Sequence, residues 1–72
     1  MAKKFYGIKF THIYGDDLID YFTAIERDDF DKDYMIGYAL RWINKNNGDF
    51  GDCFLITFYD EYAEEIDRIY IA

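Results

Sequence analysis

Along the first fourteen residues apolar and polar side chains alternate with a period of two. Tyr6, Ile8, Phe10 and His12 fall on one face of residues 4–14, and Phe5, Gly7, Lys9, Thr11 and Ile13 on the other. That is the pattern of a strand, with the first face as the better core candidate. Gly15-Asp16-Asp17 breaks the alternation, and Leu18, Ile19, Phe22 and Ile25 then recur at helical spacing, so residues 16–27 are predicted as a helix. Its early acids suit the positive end of a helix dipole. After the charged connection Asp28-Asp29-Phe30-Asp31-Lys32, Asp33 stands as the N-cap of a second helix that turns Ile36, Ala39, Leu40 and Ile43 inward. Lys45 in the last turn and Gly48 beyond it fit a helix C-terminus, and residues 46–52 are rich in turn formers. Cys53 to Tyr59 is apolar on both faces, the mark of a central strand. Ile66 to Ile71 is rich in β-branched and aromatic residues and is expected to be a strand after a long turn at 60–65. Tyr62, Ala63, Ile66, Ile69 and Tyr70 also fit a helix.

These elements give an α+β fold of order β-α-α-β-β: a small antiparallel sheet with two helices on one face, with β-α-α-β-α as the alternative. No repeat, linker or low-complexity tract divides the chain, so residues 1–72 are expected to form a single small acidic domain. Ile8, Phe10, Leu18, Phe22, Ile25, Ile36, Leu40, Ile43, Phe54, Ile56 and Phe58 are its expected core. A chain this short buries only about 60–65% of its unfolded surface, which excludes a multi-domain enzyme or an elaborate cofactor site. The composition adds seven Phe, eight Tyr and one Trp. That is more ring than so small a core needs, and the surplus points to a binding surface.

Charge narrows the ligand classes. Fifteen acids against eight bases leave a formal charge of −7, so neither nucleic acid nor an anionic membrane surface is an expected direct ligand. Nothing resembles a signal peptide, and no run approaches the ~20 apolar residues of a membrane span. The lone Cys53 cannot form an intramolecular disulfide, and a cytoplasmic location is expected. With one His, one Cys and no Ser, Cys53 and His12 are the only conceivable catalytic dyad. Both fall on predicted packing faces, so no enzymatic activity is expected. Asp29-x-Asp31-x-Asp33 resembles the opening of an EF-hand loop, but Tyr34 stands where the turn needs Gly and Leu40 where it needs a bidentate Glu. Zinc lacks a ligand set. No metal or cofactor is expected. Gly48-Asp49-Phe50-Gly51 has the spacing of a nucleic-acid-clamping GxxG loop, yet Asp49 and Asp52 would repel phosphate, which leaves a turn.

All fifteen acids fall in two blocks, residues 16–33 and 49–67. On the predicted first helix Asp16 and Asp20 would lie roughly 5–6 Å apart, a spacing near that of successive phosphates, and Asp28, Asp29, Asp31 and Asp33 would extend the row. The expected partner-binding set is Asp16, Asp17, Asp20, Asp28, Asp29, Asp31, Asp33, Tyr34, Tyr38, Glu61, Tyr62, Glu64 and Glu65, with Tyr21 as a further exposed ring. The inventory favours residues with AT-rich codons: ten Ile, eight Tyr, seven Phe and five Lys, with no Pro, Ser, Gln or Val. In length, Asp-rich segments, interleaved rings and codon bias, the chain resembles the small acidic proteins of phages and mobile elements that inhibit host nucleic-acid enzymes: anti-CRISPR, anti-restriction and glycosylase-inhibitor proteins. The resemblance is one of class and transfers no residue role. It implies a non-enzymatic inhibitor that presents an acidic, Tyr-rich surface to the basic groove of a nucleic-acid-binding protein. The alternative is a structural module that self-associates, as a homodimer, through the helix-free sheet face around Leu55 and Tyr59.

Overall fold

Two eleven-residue strands joined by two residues set the frame. In the computed structural model, which describes residues 4–14, 16–46 and 53–71, β1 (Lys4–Tyr14) pairs antiparallel with β2 (Asp17–Arg27) in one unbroken register from Lys4↔Arg27 to Tyr14↔Asp17. The chain then forms α1 (Lys32–Asn46), β3 (Cys53–Tyr59) and β4 (Glu65–Ile71). β3 pairs with the free side of β1 and β4 with β3, both antiparallel, giving one sheet in the order β2-β1-β3-β4. The connectivity is β-β-α-β-β, with one helix.

This corrects both topologies drawn from the sequence, because residues 17–27 are a strand and not a helix. Leu18, Ile19, Phe22 and Ile25 satisfy helical spacing, but Ile19, Tyr21, Thr23 and Ile25 also alternate with Leu18, Asp20, Phe22 and Ala24. The register leaves only Gly15-Asp16 between the strands, a pair of residue types that joins two-residue hairpins. A hairpin satisfies all the backbone groups along β1 on that side, and an amphipathic helix at this place would leave them to water.

Tyr6, Ile8, Phe10 and His12 of β1 share a face with Phe54, Ile56 and Phe58 of β3, and all seven are buried. Met35, Ala39 and Ile43, spaced by one helical turn, bury against them from α1. The inward stripe of the helix is therefore rotated from the expected one: Met35 is buried, Ile36 is partly buried and Leu40 is exposed. With this rotation the ring of Trp42 stacks on Phe10 at 4.0 Å and 11°. Leu18 and Phe22, also expected in the core, lie on the opposite face of the sheet and are exposed, while Ile25 is partly buried.

The helix begins two residues earlier than the sequence pattern places it. Asp31, not Asp33, is the N-cap: its Oδ1 accepts from the backbone N–H of Asp33 at 3.1 Å and of Tyr34 at 3.3 Å, and its carbonyl accepts from Met35 N–H at 2.9 Å. Phe30 and Met35 hold the flanking positions of a hydrophobic staple. Phe30 closes that end of the core against Tyr6 (5.7 Å) and Phe58 (6.2 Å). No helix among the described residues is long and apolar enough to cross a membrane.

Truncating a fully buried ring costs about 3–5 kcal/mol, comparable with the whole stability of a core this size. Phe54→Ala and Phe58→Ala are expected to be largely unfolded by circular dichroism, whereas Leu18→Ala keeps a melting temperature near that of the parent. The capping assignment is checked in the same way. Asp31→Ala should lose about 1 kcal/mol in chemical denaturation, and Asp33→Ala markedly less.

Candidate protein-binding surface

With α1 on one side only, the other face of the sheet is covered by no described element. By register this open face carries Phe5, Gly7, Lys9, Thr11 and Ile13 of β1, Leu18, Asp20, Phe22, Ala24 and Glu26 of β2, Leu55, Thr57 and Tyr59 of β3, and Arg68 and Tyr70 of β4. Phe5, Leu18, Phe22 and Tyr70 are 61, 68, 69 and 60% exposed, far more than large apolar side chains in a monomer's interior would be. Thr57, flanked in register by Lys9 and Arg68, is buried.

Near one end of this face the surface sinks into a hollow of about 450 Å³. Phe5, Gly7, Phe22, Ala24 and Tyr59 form its floor, and Asp60, Glu61 and Ala63 its rim. Gly7 adds no side chain to the floor, and a Cβ there would sit 3.5 Å from the Tyr59 Cβ, in ordinary van der Waals contact. The rim is built by the β3–β4 turn. Asp60 Oδ1 accepts from the N–H groups of Tyr62 (2.8 Å) and Glu64 (2.9 Å), Asp60 N–H donates to the Glu64 carbonyl at 2.8 Å, and Ala63 is held at φ 63°. That local network fixes the turn and leaves the Tyr62 ring exposed.

The sequence-predicted site residues divide into three groups. Asp28, Asp29, Asp31, Asp33, Tyr34, Glu61, Tyr62, Glu64 and Glu65 gather at the end of the sheet where β2 finishes and the β3–β4 turn begins. Lys4, opposite Arg27 in register and 3.7 Å from Glu61, ties the two loops together. Asp16, Asp17 and Asp20 lie toward the opposite end, at the β1–β2 hairpin. Eleven strand residues span about 33 Å, so the predicted single row of phosphate-like acids does not form. Moreover, Asp17 and Asp20 point to opposite faces of β2, and Asp20 Oδ1 accepts from Thr11 Oγ1 at 2.8 Å. Tyr38 sits apart, along α1. Tyr34 is engaged within the chain, with the Arg27 guanidinium 3.8 Å above its ring, and Tyr21 tilts against Trp42 at 5.6 Å.

Several acids therefore do local work. Glu65 pairs with Arg68 through both carboxylate oxygens, at 2.6 and 2.9 Å, and Asp67 meets Lys32 at 2.7 Å, tying the start of α1 to β4. The hydrogen bond from Arg68 holds the Glu65 carboxyl below its ordinary range, and the one from Lys32 does the same for Asp67 while raising Lys32. The carboxylates of Asp28, Asp29 and Glu64, like those of Glu26 and Asp33, make no hydrogen bond or ion pair among the described residues and so are open to a partner.

His12 is buried with its ring stacked on Phe54 at 4.6 Å, and the Cys53 side chain and the Gly48–Gly51 turn with Asp49 and Asp52 lie outside the described residues. Among the described residues no three His, Cys, Asp or Glu side chains are grouped to hold a metal. Asp31 of the EF-hand-like run spends its oxygen on the helix cap. The surface that sequence reasoning missed is the Phe5–Phe22 hollow. Its signal was the outward parity of Phe5 in β1, visible in the sequence, but Phe22 was assigned to a helix. Comparison with family models, curated proteins and solved structures finds no match to this chain.

Because the folded-state pKa values of Glu65 and Asp67 are depressed, their stabilisation is fully present above the ordinary carboxylate range and is lost as pH falls through the lowered values. Asp67→Asn should therefore melt below the parent at pH 7 and converge with it in acid. Melting temperatures recorded from pH 7 down to pH 2 check this, and a gap that stays constant through acid would refute the pairing.

Proposed function

We propose that the chain is a non-catalytic binding protein that docks on a basic surface of a nucleic-acid-processing protein and thereby inhibits it. The observation that carries this reading is the apolar hollow of Phe5, Phe22 and Tyr59 with Asp60 and Glu61 on its rim and further acids, Asp28, Asp29 and Glu64, at the same end of the sheet. An apolar floor gives a partner's side chain close-range contact energy, and a ring of carboxylates steers and orients a cationic surface toward it. The net charge of −7 favours a basic partner over a neutral one. Tyr62, exposed between Glu61 and Glu64, supplies a ring on the same rim. In this geometry the acids act as a patch at one end and not as an extended copy of a phosphate backbone, so the inhibitor covers a basic site and does not trace it.

The test is capture from a bacterial lysate at low and high salt, followed by kinetics on the purified partner. The reading requires the captured protein to be a nucleic-acid-binding protein whose nucleic acid competes for the same surface. Replacing Asp28, Asp29, Glu61 and Glu64 by their amides should slow association several-fold and flatten its salt dependence, since screening acts over about 10 Å at 0.1 M. Phe5→Ala should instead raise the dissociation rate about tenfold or more with little change in association. A partner that nucleic acid does not displace, or one indifferent to both sets of changes, overturns the reading.

A further inference from the structure

We infer that the free edge of β2 pairs antiparallel with the same edge of a second copy, joining two four-stranded sheets into one of eight. β2 ends the sheet order β2-β1-β3-β4, and no described strand pairs with its far side. Edge strands are ordinarily blunted by short length, bulges, Pro or charge. The other edge, β4, follows that rule. It has seven residues, a register shift at Phe58/Tyr59 where it pairs with β3, and Glu65, Asp67 and Arg68 along it. β2 departs from it in each respect, with eleven residues, a continuous register and an uncharged centre, Tyr21-Phe22-Thr23-Ala24-Ile25. Because backbone groups alternate sides, about half its residues turn N–H and C=O outward, enough for roughly ten hydrogen bonds across a symmetric pair.

The charges along the strand select one register. Centred on Phe22, the pairing sets Asp17 opposite the copy's Arg27 at both ends, Ile19 opposite Ile25 and Tyr21 opposite Thr23 on the helix side, with Phe22 against its own copy on the open side. A shift of two residues one way places Asp20 opposite Glu26, a like-charge pair that a sheet disfavours, and a shift the other way sets Asp17 opposite Ile25 and leaves Arg27 with no carboxylate across from it. The result is a closed two-fold interface in which each residue meets its complement twice. Arg27 is already ordered by Tyr34 at 3.8 Å and by its Nε donating to the Asp29 carbonyl at 3.4 Å. Stacking leaves the guanidinium's N–H edge available to a carboxylate.

Two copies of charge −7 repel, so added salt should tighten this dimer, the opposite of its effect on a basic partner, and the two readings stand or fall separately. Sedimentation equilibrium from low micromolar to near-millimolar protein should show the 8.7 kDa chain doubling in mass, more readily at high salt. Asp17→Arg and Arg27→Asp should each weaken the dimer at least tenfold. An equimolar mixture of the two should restore the doubled mass, because every Arg then faces an Asp. Tyr70→Lys, on the open face away from β2, should leave the dimer unchanged. If Arg27→Asp loses its fold by circular dichroism, Asp17→Arg alone decides. A monomer at every concentration and salt, single variants that dimerise like the parent, folded variants whose mixture stays monomeric, or a dimer broken by Tyr70→Lys overturns the inference.

Discussion

The structure depends on the packing of Met35, Ala39 and Ile43 against the two central strands, through Ile8, Phe10, Ile56 and Phe58. One fifteen-residue helix, about 22 Å long, can dry only one face of a sheet whose longest strands run about 33 Å. Trp42 on Phe10 and Phe30 against Tyr6 and Phe58 extend that cover toward both ends. What the helix cannot reach stays open. The exposed rings of Phe5, Phe22 and Tyr70 follow from having a single helix, just as the buried ones do.

The acids divide by what they do in the chain. Asp31 caps α1, Asp60 shapes the β3–β4 turn, and Asp67 and Glu65 hold Lys32 and Arg68. These contacts sit on exposed positions, where each ion pair contributes little to stability, but they place the loops. Lys32 with Asp67 and Lys4 with Glu61 draw the helix start and the β3–β4 turn toward the same end of the sheet. The two acidic blocks, distant in sequence, thus meet at the end of the sheet where the hollow lies, with Asp60 and Glu61 on its rim. A cluster that would repel itself if left free is partly neutralised by Lys4, Lys32 and Arg68, and the remainder leaves that end of the sheet negative.

Much of the fold was legible because burial leaves a strong pattern. β1 has one mostly apolar face and β3 is apolar on both, so their places follow from the residues, and the β-branched and aromatic residues of β4 favoured the strand it forms over the helix that Tyr62, Ala63, Ile66, Ile69 and Tyr70 also fit. β2 was not legible as a strand, and the reason is physical. An edge strand open to water on one face and one side is under weak constraint, and Leu18, Ile19, Phe22 and Ile25 fit either period. The better signal was Gly15-Asp16, a two-residue hairpin joint outweighed by the helical spacing. That single misassignment also misplaced the candidate site. It lined up Asp16 and Asp20 as a helical row and put Phe22 in the core, where the strand separates Asp17 from Asp20 and turns Phe22 outward. The gathering of Asp28 and Asp29 with Glu61 and Glu64 needed the β1–β2 and β1–β3 registers, which no local pattern contains.

Open apolar faces and long bare edges are the features by which small proteins aggregate, and here both occur in one chain with no Pro to interrupt them. The charge of −7 is the counterweight. At moderate salt it repels copies approaching in arbitrary orientation, over a range of about one Debye length. Contacts that place opposite charges against each other escape that penalty. A cationic surface meeting the acidic end does so, and so does β2 meeting its copy with Asp17 against Arg27. On the proposed function and the proposed dimer, a charge excess that looks like mere solubility in composition would act as a filter on contacts, rejecting generic ones and admitting those whose charges are arranged to match. The use of the exposed apolar groups would then be restricted electrostatically rather than by burial.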